Sequence, residues 1–178
     1  ARNIGAGNRD GAEAIALHAV VLAVLFSAFF AALFLIGGSA IFSLLGGRGA
    51  VLQEVLAYSN MLFAGILAIW LCNTLGSVIR GMGQMKVAAF WMITASVIQI
   101  AAGGFLILGL GPFPQLGIAG AAIAAILGFG IASVGQLAYL ISGRGGITLR
   151  LRGMALQWRY FAAILRIGLV AACNSLGM

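Results

Sequence analysis

An all-α, polytopic transmembrane helix bundle is the fold class this sequence predicts, on three observations. Hydrophobic residues make up 63% of the 178 and charged residues only 7%, and mean hydropathy is +1.15. A soluble domain carries about a quarter charged residues, so this composition cannot supply a water-facing surface. The apolar residues gather in runs as long as a membrane-spanning helix, which needs about 20 residues. The basic residues gather between those runs, on alternate loops.

The first run is Ala14 to Ile36. Asp10 and Glu13 precede it, and their D-x-x-E spacing marks a helix start, where carboxylates meet unpaired backbone N–H groups. The second runs from Val55 to Ile79, with Glu54 placed in its first turn. The third spans Val87 to Leu110, the fourth Ile118 to Ile141, and a last begins near Phe161. Each has the uninterrupted length of a helix, and none alternates as a barrel strand does. The expectation is four complete spans plus a truncated fifth. Gly46 to Gly49, Gly81 to Gln84 and Gly109 to Pro114 form short turns, the last holding both prolines. Gly143 to Arg159 is a longer, polar and basic connection. The chain begins at Ala1 and stops at Met178 inside an apolar run, which reads as an internal piece of something longer.

Basic residues give the orientation, because cytoplasmic loops are enriched in them. With loops on alternate sides, Arg2, Arg9, Arg80, Lys86, Arg144, Arg150, Arg152 and Arg159 share one face, and Arg48 alone takes the other. Arg166 lies two turns into the last helix, close enough to the basic face to snorkel. The face of Arg2, Arg80 and Arg150 is therefore expected to be cytoplasmic, in a multi-pass protein of the cell membrane.

Ionisable groups inside a membrane are costly and mark function, and here they are scarce. His18 lies about one turn inside the first helix and reads as an interfacial, partly solvated histidine. Uncharged polar residues say more. Gln99 is mid-membrane in the third run, with Ser96 and Gly103 on the same face at i−3 and i+4. Asn73 and Ser77 share a face toward the inner end of the second run, Asn60 lies nearer its outer end, and Ser133 and Gln136 pair in the fourth. Such groups either line an aqueous cavity or bond a neighbouring helix. Gln99, Ser96, Asn73 and Asn60 are the candidates for a substrate or ion pathway. Small residues at Gly120, Ala124, Gly128 and Ala132 form a ridge that lets another helix approach closely.

Other function classes find no footing. The net charge of +7 sits between apolar segments with no basic–aromatic patch, so lipid headgroups explain it better than nucleic acid. Cys72 and Cys173 lie inside apolar runs without metal-ligand spacing. No cleavable signal peptide is visible. With one histidine and three acids, and no phosphate-binding loop or metal cluster, the chain does not read as an enzyme and no cofactor is expected.

Three segments carry a family resemblance. Ala1-Arg2-Asn3-Ile4-Gly5-Ala6-Gly7-Asn8-Arg9, Arg80-Gly81-Met82-Gly83-Gln84, and Gly111-Pro112-Phe113-Pro114-Gln115-Leu116-Gly117-Ile118-Ala119-Gly120-Ala121-Ala122 together span most of the chain. They resemble the cytoplasmic loop after helix two, the R-G-x-G-[DN] loop, and the G-x-x-G-x-x-G-A-A start of helix six in the multidrug and toxic compound extrusion (MATE) family. The resemblance implies helices three to six of one six-helix lobe in residues 1–142. It makes 143–160 a cytoplasmic link between lobes and 161–178 the start of helix seven. It implies a secondary active antiporter that exports small organic, chiefly cationic compounds in exchange for sodium ions or protons. The partners it implies are membrane lipids, the missing helices of the same protein and the organic substrate.

The departures concern the ion. Many members carry N-x-x-x-D in the fifth helix as part of a cation site; Gln99 and Gly103 occupy those positions here, so the carboxylate is absent. A threonine common in the sixth helix is replaced by Ala125. The alternatives are a flippase for a lipid-linked precursor on a related fold and a non-transporting membrane scaffold. Such flippases line their cavity with basic residues, and none lies mid-membrane here.

Overall fold

The structure is a computed structural model, and it describes residues 9–109, 112, 114–143, 145, 157, 158, 160–162, 164–166 and 168. The loop residues Arg2, Arg150 and Arg152, Cys173, and most of the Gly143–Arg159 connection lie outside them. Five helices follow in order: α1 (Arg9–Leu44), α2 (Gly49–Ala64), α3 (Ile66–Gly81), α4 (Met85–Leu108) and α5 (Gly117–Ile141). Among the described residues, α1, α4 and α5 are each long and apolar enough to cross a membrane, and α2 with α3 reach that length together, as one bent pair that makes a fourth span when counted as a unit.

α1 begins where the acidic pair predicts, with Asp10 in its first turn, but runs on past Ile36 to Leu44. At 36 residues it is about 54 Å long, well beyond a hydrocarbon core of about 30 Å. Gly37 and Gly38 follow the predicted end of the run, yet the helix continues through both, and Gly38 is buried beside Leu56 of α2. α2 likewise begins a turn early, at Gly49, so Glu54 falls in its second turn rather than its first.

The second apolar run is not one straight helix. It breaks at Gly65 and bends by 51°. The Gly65 N–H still donates to the carbonyls of Met61 and Leu62, at 3.3 and 3.2 Å, so the ladder tightens rather than opens. The cause lies outside the segment. A Cβ on Gly65 would stand 2.4 Å from Ile126 Cδ1 of α5. The bare backbone is what lets the bend settle onto Ile126, a packing partner that the local sequence does not disclose.

α4 and α5 make the most extensive contact, and α5 also touches α2 and α3; α1 packs on α2 and α3 from the other side. The turn between α4 and α5 closes on Gly109, at φ 67°, where a Cβ would meet Gln115 at 2.8 Å. The Leu116 N–H then donates to the Leu106 carbonyl at 2.9 Å. Along the seam the small-residue ridge behaves as expected. Gly120, Ala124, Gly128 and Ala132 are all buried. A Cβ on Gly128 would sit 2.5 Å from the Ala95 carbonyl oxygen, and one on Gly120 2.8 Å from that of Leu106. Backbones that approach this closely gain dispersion contacts, the chief attraction between helices in lipid.

One buried cluster joins Ala16 of α1, Leu75 and Ile79 of α3, Ala88 of α4 and Leu140 of α5. The start of α1, the end of α3, the start of α4 and the end of α5 therefore meet at one end of the bundle. Arg9, Arg80 and Lys86 belong to that end, and Arg48, between α1 and α2, to the opposite one. On its other flank α1 lays aromatic rings along the bent span. Phe26 and Phe30 stack on Trp70 at 5.8 and 6.0 Å, and Phe34 stacks on Phe63 at 4.0 Å with an interplanar angle of 5°.

Candidate transport pathway

The structure separates the four predicted pathway residues. Gln99 is half-buried on α4. Its Cβ and backbone nitrogen would each stand 3.3 Å from a Cβ on Gly128, so its stem lies in the α4–α5 seam. Gly103, one turn on, is buried against Ala124 of α5. Ser96, by contrast, is exposed, and its hydroxyl donates back to the Met92 carbonyl at 3.1 Å. The face read as one polar stripe thus divides between the seam and the bundle exterior.

Asn73 is exposed on α3 and donates through Nδ2 to the Ile69 carbonyl at 2.9 Å. Ser77 follows it, donating to the Asn73 carbonyl at 2.8 Å and accepting from Arg80 Nη2 at 2.8 Å. Asn73, Ser77 and Arg80 make a short polar strip leading to the basic end. Asn60 is exposed on α2, on the far side of the Gly65 bend. Among the described residues no group of three or more His, Cys, Asp or Glu could hold a metal ion. What the arrangement offers is uncharged amides and hydroxyls, suited to partial coordination of an ion or to hydrogen bonding with an organic molecule.

Two polar residues stand differently from their reading in the sequence. His18 is not partly solvated: it is 0% exposed. Its Nδ1 lies 2.7 Å from the Ala14 carbonyl, and Gln157 donates its backbone N–H to Nε2 at 2.9 Å. Tyr160 and Phe161 place their rings 5.1 and 4.7 Å from the imidazole. A chain segment nearly at the opposite end of the sequence covers this histidine, which no local pattern reveals.

Gln136 is also 0% exposed, and among the described residues neither its Nε2 nor its Oε1 has a nitrogen or oxygen hydrogen-bond partner. Gly76 of α3 faces the amide: a Cβ there would be 3.4 Å from Nε2 and 3.7 Å from Oε1. The Cys72 thiol lies beside the amide, but sulfur is too weak a partner to satisfy it. A signal for its burial was present. The ridge at 120, 124, 128 and 132 continues in steps of four to 136, which puts Gln136 on the packed face of α5.

The MatE family model matches residues 1–103. A transporter of Shewanella oneidensis described as an FAD transporter is 32% identical over 131 residues, covering 74% of this chain and 29% of that protein. An inward-facing multidrug resistance MATE family transporter of the MOP superfamily superposes with a TM-score of 0.86 at 27% identity, over 95% of this chain and 38% of that one. An outward-facing conformation superposes with a TM-score of 0.87 at 26% identity, over 98% and 38%. The chain thus spans about two fifths or less of the proteins it matches. With the bundle, the ridge and the matched segment in agreement, the chain belongs to the MatE family of membrane transporters rather than to any class of enzyme.

Proposed function

We propose that the chain is part of a secondary active exporter that moves small organic, chiefly cationic compounds out of the cell in exchange for sodium ions or protons. The observation that carries this reading is its equal likeness to an inward-facing and an outward-facing transporter, with TM-scores of 0.86 and 0.87. A segment that fits both states equally well supports a mechanism in which a lobe rocks as a unit about a central cavity. In this reading residues 1–142 belong to the first lobe, 143–160 link the lobes on the cytoplasmic side, and 161–178 open the second. Gln99, Asn73, Asn60 and Ser96 contribute uncharged ligands, lipids and the remaining helices complete the surroundings, and Arg2, Arg80 and Arg150 face the cytoplasm.

The FAD transporter of Shewanella supports a second cargo class, a dinucleotide anion. Full-length protein in proteoliposomes distinguishes the two. Under an imposed sodium or proton gradient, ethidium should move against its own gradient. Movement of FAD alone would transfer the assignment to the anion, and no movement of either compound under either gradient would remove the exporter reading. Impermeant thiol labelling of cysteines placed at Gly83 and Gln115, in a background lacking Cys72 and Cys173, should occur from opposite sides of the membrane.

A further inference from the structure

We propose that the space over Gly76, between α3 and α5 toward the basic end of the bundle, is a site for one small monovalent anion, a halide such as chloride. Gln136 of α5 supplies the first observation. Its side chain is 0% exposed, and among the described residues neither amide atom finds a nitrogen or oxygen partner. A buried amide in that condition lowers stability until a ligand reaches it.

Gly76 supplies the approach. It is buried, and a Cβ built on it would stand 3.4 Å from Gln136 Nε2 and 3.4 Å from Arg80 Nη1. The two nitrogens are therefore no more than twice that distance apart, a gap that one ion can bridge. Any side chain at position 76 would point into it. The guanidinium is held in register with the gap. Its Nη2 donates to the Ser77 hydroxyl at 2.8 Å, and that hydroxyl donates in turn to the Asn73 carbonyl at 2.8 Å. Nη1 is left on the Gly76 side. Arg80 is exposed and Gln136 is not, so the gap opens past the guanidinium and ends at the amide.

The groups around the gap select a negative charge. Arginine offers N–H donors and no acceptor, and the amide nitrogen is a donor as well. The Cys72 thiol beside the amide adds a weak donor. α3, α4 and α5 together carry Arg80 and Lys86 but no Asp or Glu; the acids Asp10 and Glu13 belong to the start of α1. A cation in the gap would meet like charge. A water would satisfy the amide, whereas an anion satisfies it and also pairs with the guanidinium through a charge-assisted bond. Phosphate and carboxylate groups come with substituents and would stop at the exposed guanidinium. Reaching an amide that is 0% exposed takes a bare ion.

The test uses the full-length transporter in detergent, with potassium chloride exchanged for potassium gluconate at constant ionic strength. The thermal midpoint of the parent should rise with chloride along a saturable, single-site curve, and bromide should replace chloride. In crystals grown with bromide, anomalous scattering should place an ion between Arg80 and Gln136. Gln136→Leu and Gly76→Ala should each flatten the chloride curve, the first by removing the amide and the second by filling the gap. In gluconate the Gln136→Leu midpoint should equal or exceed that of the parent, which separates a lost response from a folding defect. A parent midpoint that is the same in chloride and gluconate overturns the proposal and leaves the amide to water alone. A chloride response that survives in both variants overturns it too, as a general salt effect. So does bromide bound only at other places in the molecule.

Discussion

Two of the glycine contacts between α5 and its neighbours look alike in the sequence and differ in kind. At the α4–α5 seam, Gly128 meets backbone: the Ala95 carbonyl oxygen would lie 2.5 Å from an added Cβ. At the bend, Gly65 meets the branched side chain of Ile126, with its nearest atoms at 2.4 to 2.8 Å. A backbone carbonyl inside a helix cannot turn aside, whereas a side chain has other rotamers. The first glycine therefore fixes how close two helices come, and the second makes room for one side chain. Nominal distances alone would rank them the other way.

Substitutions can break this contrast, and the largest effect belongs to the seam. Gly128→Ala should push α4 and α5 apart and cost about 1–3 kcal/mol or more, read as a lowered thermal midpoint in detergent. No change to a neighbouring side chain should restore it. Recovery with a second side-chain substitution would show that the seam yields as the bend does. Gly65→Ala should cost about 1–2 kcal/mol, and Ile126→Ala in the same molecule should return a good part of that loss. If the double variant is no better than the sum of the single ones, Ile126 is not what the glycine accommodates.

Smaller effects sharpen the picture by asking what polar groups do between the same helices. Among the described residues, Gln136 finds no nitrogen or oxygen partner for either amide atom in the packed interior, a condition that costs about 1–3 kcal/mol. Gln136→Leu, of similar volume, should raise stability by about 1 kcal/mol; a fall would mean that the amide has a partner after all. Gln99 carries its stem against Gly128 and remains half-buried. Gln99→Ala and Gln99→Leu should leave the thermal midpoint within about 0.5 kcal/mol of the parent while lowering efflux in the full-length transporter. Full efflux with a clearly lowered midpoint would make Gln99 a packing residue and nothing more.

What could be read from the sequence follows from how far each feature reaches along the chain. The acidic start of α1, Gly109 before α5 and the small-residue ridge are local, and the structure places each of them as expected; of the apolar runs, the first extends on to Leu44. The break at Gly65 depends on Ile126 in another helix, so the run from Val55 to Ile79 could only be read as continuous. His18 looked solvated because the residues that cover it, Gln157, Tyr160 and Phe161, stand at the far end of the chain. The pathway candidates share polarity and approximate depth, but helical spacing alone could not show that Ser96 leaves the seam that Gln99 enters. Gln136 was within reach of the same periodicity that revealed the ridge, had the ridge been followed one step further.

The aromatic rings along α1 give the bent span a mechanical character that its glycine does not. Phe26 and Phe30 grip Trp70, after the break, and Phe34 grips Phe63, before it. One continuous helix is thus bound to both halves of a broken one, as a splint is bound across a fracture. Each ring has only two side-chain torsions to relax, so closing or opening the 51° angle would require stacked faces to slide apart on both sides at once. α2 and α3 should therefore travel together with α1 as a stiff elbow, and a push on the end near Arg80 should reach the Arg48 end undiminished.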